Sequence, residues 1–168
     1  MPHIKSFAPV ENADAKILIL GSMPGEASLR AGEYYAHPRN LFWRTMCELI
    51  GANPELPYSQ RIQALKSAKI ALWDVLRSCR RKGSLDSSID DRSLTPNDFA
   101  GFFRNHPDVT HVFFNGAKAE QCYRKHVHPV PGTSHIEYLR LPSTSPANAS
   151  ISRERKLEAW QAITKYLA

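Results

Sequence analysis

The chain has 168 residues, 42% of them hydrophobic and 23% charged, which suits one compact domain over residues 1–168 and excludes a disordered chain. No apolar run approaches the ~20 residues needed to cross a bilayer, and Met1-Pro2-His3-Ile4-Lys5 lacks the basic-then-apolar layout of a signal peptide. Lys and Arg number 22 against 16 acids, a net charge of +6 that fits a polyanion partner.

Lys16 to Leu20 is a short β-branched apolar run stopped by Gly21, the pattern of a strand buried on both faces. A loop from Gly21 to Pro38 follows. Helical spacing then starts at Leu41 and runs through Phe42, Trp43, Met46, Leu49 and Ile50 to Gly51. A second helix is predicted near Tyr58 to Ala68, a second strand from Lys69 to Val75, and a polar loop from Arg77 to Asp91. Thr95-Pro96-Asn97-Asp98 carries a helix-start signal, for a helix ending near Asn105. Thr110 to Phe114 reads as a third strand, Gly116 to His126 as a helix, and Ile136 to Leu141 as a fourth strand. The loop Pro142 to Ser150 leads to a last helix over Ser152 to Leu167. Short apolar strands alternating with helices indicate a parallel α/β sandwich. Ligands of such sheets bind beyond the carboxyl ends of the strands. The loops beginning at Gly21, Arg77, Asn115 and Pro142 are therefore the places to look.

The first loop can present backbone N–H groups to carbonyl or phosphate oxygens. It lacks the Gly-Lys-Ser/Thr ending of a phosphate-binding loop and the Gly-x-Gly-x-x-Gly spacing of a dinucleotide site. Asn115 can offer a donor and an acceptor to a polar ring edge, or cap the helix that follows. Asn40 has a similar choice, and Tyr34 and Tyr35 could pack the loop. No HExxH and no close Cys/His set suggests a metal, and no Gly-x-Ser-x-Gly elbow suggests a serine hydrolase. Cys47, Cys79 and Cys122 form no CxxC pair, as expected of a reduced, cytoplasmic protein. The cations Arg77, Arg80, Arg81 and Lys82, then Arg124 and Lys125, then Arg153, Arg155 and Lys156 are candidate phosphate contacts if the fold gathers them, and solvated surfaces otherwise.

Gly21-Ser22-Met23-Pro24-Gly25, followed by Tyr35-Ala36-His37-Pro38-Arg39-Asn40-Leu41-Phe42-Trp43, resembles the first motif of the uracil-DNA glycosylase superfamily. The hypoxanthine-DNA (DNA-deoxyinosine) glycosylases are the nearest branch. Asn115 to Ala119, Pro142 to Asn148, and Asp74-Val75-Leu76 through Gly83-Ser84-Leu85-Asp86 are similar to that branch too, in family order. The resemblance implies a three-layer α/β/α sandwich around a four-stranded parallel sheet. It also implies hydrolysis of an N-glycosidic bond without metal or other cofactor, leaving an abasic site.

One position departs from the relatives. The mismatch-specific enzymes carry a water-positioning Asn in the first turn, and classical uracil enzymes an Asp, where this chain has Met23. The hypoxanthine-type branch assigns the catalytic role to an Asn in His-Pro-Arg-Asn, which is Asn40 here. By this resemblance Asn40 orients the attacking water. Gly21, Ser22, Met23, Tyr35 and Asn115 bind the base, with Tyr35 in the place of the stacking aromatic. Pro142, Ser143, Thr144, Ser145, Pro146, Ala147 and Asn148 press on the DNA. The expected partner is double- or single-stranded DNA containing a deaminated base, met by a monomer. Two other readings stay open: a uracil/thymine mismatch enzyme with the same chemistry, and a non-catalytic module that binds damaged DNA.

Overall fold

The computed structural model describes residues 1–167. Four strands form the central sheet: β2 (Ile17–Gly21), β3 (Ile70–Asp74), β6 (His111–Asn115) and β7 (Glu137–Leu141). Their spatial order is β3-β2-β6-β7 and every pairing is parallel, with Ile17 opposite both Ile70 and His111. The α/β/α sandwich expected from the sequence is the architecture observed.

Alternation along the strands decides which helix goes to which face. Leu18, Leu20, Ala71, Trp73, Val112 and Phe114 share one core with Phe99, Phe102 and Phe103 of α4 (Phe99–Asn105) and Ala119, Cys122 and Tyr123 of α5 (Ala117–His126). Ile17, Ile19, Ile70, Leu72 and Phe113 face the other way. They meet Phe42, Trp43 and Met46 of α2 (Phe42–Ile50), Leu65 of α3 (Tyr58–Ser67), and Trp160 at the end of α6 (Arg153–Trp160). Both faces being covered explains why the strand segments read as unbroken apolar runs.

Several elements differ from expectation. A small antiparallel sheet, β1-β4-β5, joins His3–Lys5, Leu76–Arg80 and Thr95–Pro96. The segment predicted as a polar loop from Arg77 thus begins as strand β4, with Ser78 and Cys79 buried and Arg77 and Arg80 exposed. Thr95 and Pro96 belong to β5 and do not start the helix. The cap of α4 is Asp98, whose carboxylate accepts from the Gly101 N–H at 3.0 Å. The six-residue helix α1 (Glu26–Ala31) sits inside the predicted first loop, between Gly25 and Gly32. The last helix is α-helical only to Trp160 and tightens to a 3-10 turn over Gln161–Tyr166, with Trp160 and Ile163 fully buried.

Candidate active site

The carboxyl ends of β2, β3, β6 and β7 open into one cleft of about 1130 Å³. Gly21, Ser22, Met23, Tyr35, Asn40, Asn115 and every residue from Pro142 to Asn148 line it. The site residues singled out from three separate loops are therefore brought together.

The first loop is held from behind. Ser22 Oγ donates to Asp86 Oδ1 at 2.5 Å, the Glu26 N–H donates to Ser84 Oγ at 2.9 Å, and Arg81 Nη2 donates to the Pro24 carbonyl at 2.6 Å. Arg81 is 2% exposed and its Nε is committed to the Gly83 carbonyl at 2.8 Å. This residue cannot serve DNA phosphates, as the sequence cluster suggested. Met23 is 7% exposed and packs into the core, so the turn offers the cleft its backbone at that position.

Tyr34 and Tyr35 divide the two roles open to them. Tyr34 is a packing residue, its hydroxyl donating to the Ala8 carbonyl at 2.9 Å. Tyr35 adopts φ 56°, in the left-handed region that non-glycine residues seldom occupy. Its ring stacks on Phe42 with centroids 4.1 Å apart, and its buried hydroxyl has no hydrogen-bond partner.

Asn40 lies one residue ahead of the α2 cap, Leu41. Its Oδ1 accepts from the Phe42 N–H at 2.9 Å, the first N–H of the helix. The side chain is thus fixed in direction while the second lone pair of Oδ1 and the Nδ2 protons keep their capacity. Asn115 does not cap α5, whose N-cap is Gly116. Instead Asn115 Nδ2 donates to Thr144 Oγ1 and its Oδ1 accepts from the Thr144 N–H, each at 2.9 Å. The Thr144 carbonyl in turn accepts from the Leu41 N–H at 3.0 Å, joining the Asn40 loop to the fourth loop.

The rest of the Pro142–Asn148 loop is braced largely through its carbonyls. Trp160 Nε1 donates to the Pro142 carbonyl at 2.9 Å and Asn148 Nδ2 to the Ser143 carbonyl at 3.2 Å. Lys156 Nζ reaches the Ser145 carbonyl at 3.5 Å. That lysine is 4% exposed, and burial lowers the pKa of its ammonium; it supports the loop from below and leaves phosphate contact to others. Gly116 has φ 95°, and a Cβ there would stand 3.0 Å from Ser143 Cβ, so glycine is what lets the two loops close together. Ala147 stays exposed at the tip.

Sequence reasoning gave no role to Asp74, which ends β3, lines the cleft and is 3% exposed. Burial pushes its carboxyl up to about 7, with Ser6 and Arg81 opposing and Asp86 adding to the rise. The available signal was its position: an acid immediately after a buried apolar strand, at the end where ligands bind. Lys118, Arg140 and Arg155 also line the cleft and supply its cationic rim. Among the described residues, no three His, Cys, Asp or Glu side chains gather as a metal site requires, and no helix is long and apolar enough to cross a membrane.

The family model described as the uracil DNA glycosylase superfamily matches residues 8–167. A curated hypoxanthine DNA glycosylase of Methanosarcina acetivorans is 36% identical over 163 residues, 96% of this chain and 98% of that protein. A second, from Methanosarcina barkeri, is 37% identical over 153 residues, 90% and 92% of the two chains. An NMR structure from Methanosarcina acetivorans, described as a candidate uracil DNA glycosylase, superposes with a TM-score of 0.82 at 36% identity and 99% coverage of both chains.

Proposed function

Because the chain belongs to the uracil-DNA glycosylase superfamily, we propose that its cleft excises hypoxanthine from deoxyinosine in DNA by hydrolysing the N-glycosidic bond. The observation that carries this reading is the convergence of Asn40, Asn115 and the braced Pro142–Asn148 loop on one cleft at the carboxyl ends of the parallel strands. The two curated relatives named as hypoxanthine DNA glycosylases support the choice of base. Met23 supports it too, since a thioether turned into the core cannot position water.

The target base leaves the stack to reach the cleft. As the glycosidic bond lengthens, the sugar takes on positive charge and the base negative charge. Asn40 Oδ1, held by the Phe42 N–H, accepts a hydrogen bond from the attacking water and so turns a lone pair of the water oxygen toward C1′. Backbone N–H groups of the Ser22–Met23 turn face the charge that grows on the base. Tyr35 supplies an aromatic wall, and Asn115 holds Thr144 so that the fourth loop meets the DNA in one shape. The exposed Ala147 and neighbouring Asn148 stand nearest the gap left by the flipped base.

On this reading the chain acts as a monomer on duplex or single-stranded DNA. The three free, buried cysteines suit a cytoplasmic setting. The test is a single-turnover assay on duplexes carrying deoxyinosine, deoxyuridine or deoxyxanthosine, with alkali to reveal abasic sites. Scission at deoxyinosine supports the reading. Scission only at uracil moves the chain to the mismatch-type chemistry, and tight binding without scission makes it a damage-binding module.

A further inference from the structure

The two oxygens of Asp74 have different surroundings. Oδ2 accepts from Ser6 Oγ at 2.8 Å, a contact brought in by the segment after β1. Oδ1 has no hydrogen bond among the described residues. It lies beside Gly21, where a Cβ would stand 2.6 Å from it and 2.9 Å from the Tyr35 hydroxyl. That hydroxyl is buried and unpartnered. Gly21, Tyr35 and Asp74 all line the cleft. Two polar groups without a hydrogen-bond partner among the described residues thus flank one bare glycine, and for the buried Tyr35 hydroxyl that lack is costly unless a ligand supplies a partner.

We propose that Asp74 is a catalytic residue that acts protonated, its Oδ1–H donating a hydrogen bond to the carbonyl oxygen of the flipped deaminated base as the glycosidic bond breaks. The proposal rests on the glycosylase reading above. Ser6 donates to Oδ2, which leaves Oδ1 as the place for the proton. The Tyr35 hydroxyl is a second donor for the same carbonyl oxygen, which has two lone pairs. Deamination replaces an amino group by a carbonyl oxygen. A donor at this point therefore meets an acceptor on hypoxanthine or uracil, and meets another donor on adenine or cytosine. Discrimination against a mismatched donor or acceptor in a site built for hydrogen bonding is large.

The electron balance is simple. The glycosidic electron pair stays with the base, the water oxygen bonds to C1′, and the surplus water proton ends on the base. Asp74 keeps its own proton and is ready for the next turnover. Ionised Asp74 would have no donor and would set a negative charge against the one that develops.

The charged and titratable groups facing Asp74 are Asp86 from the 3-10 turn after β4, Arg81 just past β4, and Tyr34 and Tyr35 from the first loop. Asp86 raises and Arg81 lowers the Asp74 carboxyl, and both tyrosines are pushed upward by burial and stay protonated. The carboxyl of about 7 is therefore the group that changes state near neutrality.

Single-turnover excision of hypoxanthine from about pH 5 to about pH 9 tests this, with the wild type, Asp74→Asn, Asp74→Ala and Ser6→Ala. The wild-type rate is expected to fall about tenfold per pH unit above the Asp74 midpoint. Asp74→Asn keeps an N–H donor without a titrating proton, so it should excise with a flat profile. Asp74→Ala should lose about 10²-fold or more while binding DNA and melting normally. Ser6→Ala removes a bond that favours ionisation and should move the limb to higher pH. A wild-type rate that is flat or rises through neutrality overturns the role of Asp74, as does Asp74→Asn failing like Asp74→Ala in a folded, DNA-binding protein. A wild type that excises at no pH overturns the glycosylase reading itself, and this role with it.

Discussion

Asn115 and Thr144 hold each other through two hydrogen bonds of 2.9 Å, side chain to side chain and backbone to side chain. The pair ties the end of β6 to the fourth loop, and the Thr144 carbonyl carries the tie on to Leu41, beside Asn40. Three of the site's segments share one hinge of hydrogen bonds at a residue that is only 1% exposed.

Thr144→Val keeps the shape of this residue and removes the hydroxyl that accepts from Asn115. A donor left without its partner in a buried setting costs about 1–3 kcal/mol. A fall in melting temperature is expected, together with weaker DNA binding, because the loop loses part of its brace. Thermal melts and binding titrations on the same preparation check it. Wild-type binding by a destabilised variant would show that the brace serves stability alone.

Asn40→Ala separates water positioning from helix support. Losing the bond to the Phe42 N–H should cost ~0.5–2 kcal/mol of stability, as for other helix-start side chains. Losing the water contact should lower single-turnover excision by about 10²-fold or more with DNA binding intact. Asn40→Asp can keep the helix bond while bringing a charge to the water, so it should melt near the wild type and still excise slowly. Wild-type excision by a destabilised Asn40→Ala would leave this residue as a helix-start group only.

Tyr35→Phe removes a buried hydroxyl that has no partner in the free protein. The expected result is a protein as stable as the wild type or more so, by up to about 1 kcal/mol, yet slower in excision because a donor to the base is gone. Tyr35→Ala should also lose the stacked contact with Phe42 and fall in both stability and rate. Equal rates for Tyr35→Phe and the wild type would confine the residue to packing.

Salt dependence reports the rim. Lys118, Arg140 and Arg155 line the cleft, whereas Arg81 and Lys156 are buried beneath loops. Each phosphate neutralised contributes about −0.9 to the slope of log K against log salt on duplex DNA. Arg155→Ala should make the slope shallower by about 1, and Arg80→Ala, which does not line the cleft, should leave it unchanged. Fluorescence titrations across a salt series provide the slopes, and an unchanged slope for Arg155→Ala removes that residue from the contact.

The sequence pattern reveals the central sheet because its strands are covered on both faces and therefore stay apolar without interruption, as in Ile17 to Leu20 and Ile70 to Trp73. Strand β4 is hidden because Arg77 and Arg80 face solvent, and β1 offers only three residues to pair with it. Helix α1 is too short to show a period. Asn40, Asn115 and the fourth loop are legible through a long motif resemblance, and the fold brings them to one cleft. What the linear pattern could not supply is the state of each group. Asn115 turns to Thr144 and Arg81 sinks to the back of a loop. Asp74, an ordinary acid on paper, is surrounded by protein. Burial is a property of contacts between distant segments, such as Ser6 with Asp74.

The fourth loop owes much of its shape to main-chain oxygens: those of Pro142, Ser143, Thr144 and Ser145 are each taken up by a donor from outside the loop or from Asn148. A main-chain oxygen is present whatever the side chain. The tip residue Ala147 is exposed, and its own side chain takes no part in that framework. The arrangement separates the scaffold from the message it presents, so natural variation or directed evolution can rewrite what meets the helix at this tip without having to reinvent the loop.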